Sequence, residues 1–309
     1  MSIASTPLVL PRGPLTLARD YAELTKLRVT TLVAMTAWCG YYFGAAQSGV
    51  SSFSWGLFHA LAGIALVAGG TAALNEVMEY EIDGRMRRTS QRPLPAGRMS
   101  RMHAGIAGLA MTVGGAIYLG VVMNALTGWL SLATALVYLA AYTPLKKVHP
   151  ICTFVGAFPG AMPGVLGWTA ARAHVEWGAL VMFAIVFFWQ FPHFYAIAWL
   201  YREDYAAGAI QMLPVVEKDG RSTARQIIAY SVGLIPVTLA PTLFGMTGKF
   251  YFAAALVLGM ALLYVGMRLA TLNAPVTAAV SKLRARQLLQ ATVFYLPLLF
   301  IVMMLDTMS

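Results

Sequence analysis

A chain of 309 residues that is 59% hydrophobic and only 11% charged, with mean hydropathy +0.68, is not a soluble globular domain. Charged residues approach a quarter of such domains. The net charge of +10 follows membrane topology, so no nucleic-acid partner is expected. Two distant cysteines, Cys39 and Cys152, make neither a disulfide framework nor a CxxC metal or redox motif.

In chain order, residues 1–28 carry Arg12, Arg19, Lys26 and Arg28 but no apolar core ahead of a cleavage site. They read as a cytosolic tail with an interfacial segment around 15–28, not as a secretory signal. Apolar stretches of spanning length then recur at 29–46, 54–74, 103–122, 126–143, 151–168, 177–198, 226–245, 250–270 and 288–305. Each holds roughly 18–22 residues, enough for about 30 Å of hydrocarbon at ~1.5 Å per residue. The expected fold class is therefore all-α: a polytopic membrane protein with about nine helices in one domain over 29–305, and a short tail at 306–309. The fifth span contains Pro159, Pro163 and glycines at 156, 160, 164 and 167, so a kinked or broken helix is expected there.

The connections sort by charge. Those at 47–53, 123–125, 169–176 and 246–249 hold only Arg172 and Lys249, while 19 of the other 20 Lys and Arg fall in the N-terminus and in 75–102, 144–150, 199–225 and 271–287, and Arg268 lies at the end of the span that leads into the last of these. The positive-inside rule puts the second set in the cytoplasm and the C-terminus outside, in the cell (inner) membrane. Two cytoplasmic connections, 75–102 and 199–225, are long and carry mixed charge, which is where a site is expected.

The first of them opens on an acidic register. Asn75, Glu79 and Asp83 are spaced i, i+4, i+8, with Glu76 one residue off, and they share a helix face if span two continues past Leu74. A column of hard oxygens suits Mg²⁺, which takes one or two carboxylates plus substrate phosphates. The alternative is a solvated helix end with Glu79, Asp83 and Arg87 in an i,i+4 ladder. A diphosphate would bridge to the carboxylates through the metal, with Arg87, Arg88, Arg92, Lys146 and Lys147 contacting it directly. For the lysine pair the competing explanation is topology alone. Near the end of span six stands Trp189-Gln190-Phe191-Pro192-His193-Phe194, followed by Arg202-Glu203-Asp204-Tyr205. Gln190 and His193, three apart, are expected to face one cavity, as polar groups inside an apolar run mark sites. The imidazole could ligate haem iron, accept a proton or hydrogen-bond across helices. Asp204 is either a second metal anchor or an ordinary loop charge.

Taken in order, Asn75…Glu79…Asp83…Met86-Xaa-Arg88-Thr89…Arg92-Pro93-Leu94-Pro95-Ala96-Gly97, then Tyr142-Thr143-Pro144-Leu145-Lys146-Lys147, Gly156-Ala157-Phe158-Pro159-Gly160-Ala161-Met162-Pro163-Gly164, the Trp189–Phe194 segment and Asp204-Tyr205…Gly208…Met212-Leu213-Pro214 resemble the intramembrane aromatic prenyltransferase superfamily, over roughly residues 20–305. The Trp-Gln-Xaa-Pro-His-Phe segment points within it to the haem-farnesylating branch. The resemblance implies a nine-helix bundle around a central cavity and transfer of farnesyl from farnesyl diphosphate to a vinyl group of haem B, with water added to give haem O. It implies Asn75, Glu79 and Asp83 as the metal–diphosphate anchor, with His193 and Gln190 on the haem side. It also implies contact with haem A synthase or the terminal-oxidase assembly machinery. Two departures are visible. Glu79 stands where the superfamily commonly has Asp, and Glu203-Asp204 replaces a second Asp-xxx-Asp pattern. Rival readings are a quinone- or chlorophyll-type acceptor, an organic-anion transporter, and a non-catalytic haem-handling protein.

Overall fold

The structure is a computed structural model that describes residues 14–49 and 51–307. Arg12 with the rest of 1–13, Val50, and the last two residues of the expected tail lie outside the described residues. The helices are α1 (Pro14–Leu24), α2 (Leu27–Ala46), α3 (Trp55–Arg85), α4 (Arg101–Val122), α5 (Ala125–Leu136), α6 (Thr143–Leu145), α7 (Cys152–Arg172), α8 (Trp177–Leu200), α9 (Arg202–Ala207), α10 (Leu213–Val216), α11 (Arg221–Leu243), α12 (Lys249–Ala270) and α13 (Ala279–Leu305). A π-helical turn, Val137–Tyr142, joins α5 to α6 without a break.

Sequence signals account for several starts. Ser54, Ser100 and Asn124 sit in extended backbone before α3, α4 and α5, and their side-chain oxygens accept from Leu57, His103 and Thr127 amides. Each satisfies an amide that the first helical turn leaves unpaired. Seven units are both long and apolar enough to cross a bilayer: α3, α4, the α5–α6 unit, α8, α11, α12 and α13. Helices α2 and α7, with 20 and 21 residues, have spanning length but less apolar sequence. With them the described residues hold nine units of spanning length, as many as the apolar stretches of the sequence.

The reason for their lower apolarity is packing. Most of α7 is buried, in contact with α2, α3, α5 and α8. A helix inside a bundle need not dissolve in lipid, and small residues let backbones approach. A Cβ built on Gly167 would stand 1.8 Å from the Ala37 carbonyl oxygen, and one on Gly40 would stand 1.9 Å from that of Gly164. No larger residue fits between α2 and α7 at these two crossings. Of the kinked or broken helix expected here, the break does not occur: α7 runs continuously through Pro159 and Pro163. Its packed neighbours support the backbone where two amides are missing.

The connections sort themselves into two ends. At one end Lys26 reaches Asn75, Lys146 reaches Glu79, Arg87 reaches Asp204, the Gln211 amide donates to the Lys146 carbonyl, and Lys282 pairs with Glu203. The N-terminal segment and all four basic connections therefore meet. At the other end Arg172 donates to Ser48, Asn124 donates to the Thr169 carbonyl, and Asp306 accepts from the Tyr251 amide. This sorting is what alternating passage of nine helices produces.

The α2–α7 contact should be the least forgiving of bulk. Gly167→Val is expected to lower the unfolding temperature of the detergent-solubilised protein, since overpacking costs about 1–3 kcal/mol. Gly105→Ala, on α4 with nothing within 4 Å of its Cβ, should leave it unchanged or slightly raised. Equal melting of Gly167→Val and the parent would refute the close packing.

Candidate active site

Helix α3 does not stop at the membrane boundary expected at residue 74 but runs on to Arg85. That continuation puts Asn75, Glu79 and Asp83 on one face. All three are buried, and Glu76 beside them is fully enclosed. Carboxylates at a helix C-terminus sit at the negative end of its dipole, and burying them costs more unless cations pair with them. The cations come from three other segments. Arg92 Nη1 lies 2.6 Å from Asp83 Oδ2, and Lys146 Nζ lies 2.8 Å from Glu79 Oε1. Lys26 Nζ donates to Asn75 Oδ1 at 2.8 Å.

The π-helical turn positions the second of these. Thr143 Oγ1 donates to the Tyr138 carbonyl, five residues back, and accepts from Asn75 Nδ2 at 3.1 Å. Tyr142 presents its ring under Lys146 Nζ, 4.5 Å from the centroid. π-Turns inside α-helices recur at functional sites, where the extra residue rotates the rest of the helix to a new bearing. Here it aims Thr143 and Lys146 at α3.

The loop after α3 is tied back onto it. Glu76 Oε1 accepts from the Leu94 amide at 3.1 Å, and Thr89 Oγ1 donates to the Asp83 carbonyl. Arg98 pairs with Asp20 and Glu23 of α1 and donates to the Gln91 carbonyl. Glu76 is thus the anchor of the Arg92-bearing loop, a role its place just off the register does not reveal.

Two lysines at this end differ in electrostatics. Burial, then the charges of Arg92 and Lys146, push Lys26 down to about 8, against the pull of Glu79 and Asp83. Burial acts the same way on Lys146, but Tyr142, Tyr138 and Glu79 outweigh it and hold Lys146 above the usual lysine range. Lys26 is the functional residue most readily missed from sequence. It is 49 residues from Asn75, and its charge is already accounted for by topology.

The remaining basic candidates divide. Arg88 lies over the Tyr201 ring at 5.0 Å and donates to Tyr205 Oη at 3.3 Å. Arg87 is largely exposed and lies 3.3 Å from Asp204; neither side chain hydrogen-bonds to Asn75, Glu79 or Asp83 among the described residues. Lys147 is exposed, and its side chain makes no hydrogen bond or ion pair among the described residues; its amide donates to the Pro144 carbonyl. Glu203 turns outward to Lys282.

Among the described residues of this acidic cluster, two buried oxygens remain without a partner, Asp83 Oδ1 and Glu76 Oε2. Among the described residues no three acidic, His or Cys side chains already stand together as a metal cluster. An unspent Asp83 oxygen beside Glu79 suits a cation that takes few protein ligands and completes its shell with phosphate and water, as Mg²⁺ does.

Along α8 the polar groups diverge. Gln190 Nε2 donates to the Ala157 carbonyl of α7 at 3.0 Å and to Val186 O at 3.2 Å. His193 Nδ1 lies 2.9 Å from Thr292 Oγ1 of α13. Three residues apart on one helix, they lie roughly 60° from each other, and their hydrogen bonds run to different neighbours, α7 for Gln190 and α13 for His193. The Gln190 contact also depends on Gly160, where a Cβ would lie 2.0 Å from Gln190 Oε1.

The family model for the UbiA prenyltransferase family matches residues 32–302. A protein of Koribacter versatilis named protoheme IX farnesyltransferase is 61% identical over 307 residues, 99% of each chain. One of the same name from Solibacter usitatus is 46% identical over 93% of this chain and 98% of its own. Among solved structures, one of digeranylgeranylglyceryl phosphate synthase in membranes superposes with TM-score 0.75 at 14% identity, covering 94% of this chain and 98% of that one. A UbiA homolog from Archaeoglobus fulgidus bound to GPP and Mg²⁺ gives 0.63 at 15%, covering 92% and 99%. At these identities the structural likeness speaks for the fold.

The lysine geometry makes a pH-dependent test. Without ligand, Lys26 loses its proton near pH 8, and an anion beside it favours the charged form, so binding takes up a proton. The affinity for Mg²⁺ and inorganic diphosphate should therefore fall about tenfold more between pH 7 and 9 in the parent than in Lys26→Arg, whose charge persists. Parallel loss of affinity in the two proteins, measured by calorimetry, would remove Lys26 from the anion site.

Proposed function

The chain belongs to the UbiA prenyltransferase family, and we propose that it transfers the farnesyl group of farnesyl diphosphate to a vinyl group of haem B, with addition of water, to give haem O and diphosphate. The observation that carries this is the 61% identity, over essentially the whole chain, to a protein named for that activity. A quinone- or chlorophyll-type acceptor, a transporter and a non-catalytic haem-handling role are not favoured. The protein is integral to the membrane, and the positive-inside bias orients the acidic end toward the cytoplasm.

The reaction breaks the C1–oxygen bond, the vinyl π bond and one O–H bond of water, and forms a carbon–carbon and a carbon–oxygen bond. The C1–oxygen bond of farnesyl diphosphate breaks with its electron pair going to diphosphate, and the vinyl carbon forms a bond to C1. The positive charge left next to the porphyrin is quenched by water, which then gives up a proton. The barrier lies in charge developing on the departing diphosphate, so groups already aimed there lower it most. Mg²⁺, when bound, would neutralise that charge as a Lewis acid. Asp83 and Glu79 would hold it, with Asn75 beside them.

The protein's own cations then have a second use. Arg92, Lys146 and Lys26 neutralise the acidic column. An arriving diphosphate offers them a stronger, more concentrated anion, so they turn to it without leaving the site. Arg88, packed over Tyr201, adds a further charge at the α8–α9 corner. The farnesyl tail continues into the apolar helices, where aromatic faces such as Tyr142 shelter a cation in a water-poor setting.

Asp83→Asn keeps the side-chain shape but removes the charge needed for a metal. Farnesyl transfer to haem B, followed by chromatography of extracted haem, should fall by at least about 100-fold, with the unfolding temperature little changed. Turnover retained by that variant, or by the parent in excess EDTA, would count against the metal role. Parent protein that prenylates a quinone but leaves haem B unchanged would overturn the acceptor.

A further inference from the structure

The strongest unabsorbed feature lies away from the charged end, where α8 meets α13. His193 Nδ1 stands 2.9 Å from Thr292 Oγ1. The same hydroxyl lies 2.7 Å from the Leu289 carbonyl oxygen, one turn earlier on α13. A carbonyl oxygen cannot donate, so the single hydroxyl hydrogen of Thr292 goes to Leu289. Toward His193 the hydroxyl therefore offers only a lone pair, and the proton between them belongs to Nδ1. In a neutral imidazole that leaves Nε2 unprotonated.

Orientation is fixed as firmly as protonation. Thr292 is fully buried. The indole of Trp189 stacks on the His193 ring with centroids 4.8 Å apart and planes 20° from parallel. Trp189 Nε1 itself donates to the Thr292 carbonyl at 2.9 Å. Ring plane and Nδ1 are thus held to the same residue of α13. Nε2 hydrogen-bonds to nothing among the described residues, and it is not one of the buried polar atoms left without a partner. It is an open lone pair on a clamped ring.

Resting on the reading that haem B is the acceptor, we infer that His193 Nε2 is an axial ligand to the haem iron and that Thr292 is the positioning residue that keeps this nitrogen available. Iron ligation fixes the macrocycle by its centre, and the hydrogen bond at the other ring nitrogen fixes the imidazole, as outer partners do for ligating histidines. The vinyl edge is then presented at a set distance from α8 rather than by shape alone. No proton transfer is assigned to His193.

The test uses the full chain in nanodiscs, with haem B alone for binding and spectra and with farnesyl diphosphate and Mg²⁺ added for turnover. The ferrous nitrosyl adduct of the parent should show electron-paramagnetic splitting from a trans nitrogen, altered by ¹⁵N-histidine labelling. His193→Ala should lose that splitting, and added imidazole should restore it. Thr292→Val, which keeps shape but removes the acceptor, should weaken haem affinity about 10- to 100-fold and raise the KM for haem more than it lowers kcat. Thr292→Ser should behave like the parent. Unchanged splitting in His193→Ala, or unchanged haem affinity in folded Thr292→Val, overturns the inference while the farnesylation reading stands. Absence of haem conversion by the parent overturns that reading itself.

Discussion

The polar end of this protein depends on a balance of buried charge. Glu76, Glu79 and Asp83 lie almost wholly out of water at the C-terminal end of α3, where dipole and desolvation both oppose ionised carboxylates. The balance is restored by segments far apart in sequence: the α1–α2 turn through Lys26, the loop after α3 through Arg92, and the α6–α7 link through Lys146. Each contact also fixes a loop. The arrangement is near neutral yet loosely committed, since Asp83 keeps one oxygen unspent. A ligand that draws the cations toward itself leaves the carboxylates in need of a replacement cation. Metal and diphosphate would thereby favour each other's binding, a coupling that arises from the charge count alone.

That balance requires a rigid frame, and the frame is built on small residues. α2 and α7 approach at Gly40, Gly164 and Gly167 so closely that backbone meets backbone. Dispersion between such surfaces replaces the hydrophobic drive that lipid does not supply. The same choice explains why the two helices fall short of the apolarity reached by the other seven. What an interior helix lacks in greasiness it gains in fit, with α8 also seated on α7 by way of Gly160 and Gln190.

The long apolar helices and the meeting of the basic connections at one end were legible because bilayer thickness and charge bias act on whole segments. The α3 column was legible for the same kind of reason: a four-residue period survives wherever a helix continues. The partners of the column were not. Lys26 and Asn75 are brought together by tertiary packing that no local period encodes, and Lys26 carries no mark distinguishing it from other basic residues near the N-terminus. Glu76 looked incidental because it is one residue off the register, and that offset is what turns it toward Leu94. Gln190 and His193 were close in sequence and expected to face one cavity. That their hydrogen bonds run to two different helices, α7 and α13, depends on tertiary packing that the local spacing does not encode.

The two polar regions solve different physical problems. At the end of α3 the chain meets water and can recruit charge from several segments, so a highly charged leaving group can be held there. Along α8, inside the helix and away from its end, a fixed charge would be costly in the membrane, and the groups found are a glutamine amide, an indole, a threonine hydroxyl and an imidazole. Such a set recognises a ligand by direction instead of charge. An imidazole whose Nδ1 hydrogen is already spent on Thr292 has one directional property left, the lone pair on Nε2. A large flat acceptor with a metal at its centre can use that lone pair, while a small phenolic acceptor has no metal to offer it. On the inferred ligation, specificity for the acceptor resides in the uncharged region, separate from the charged groups at the end of α3.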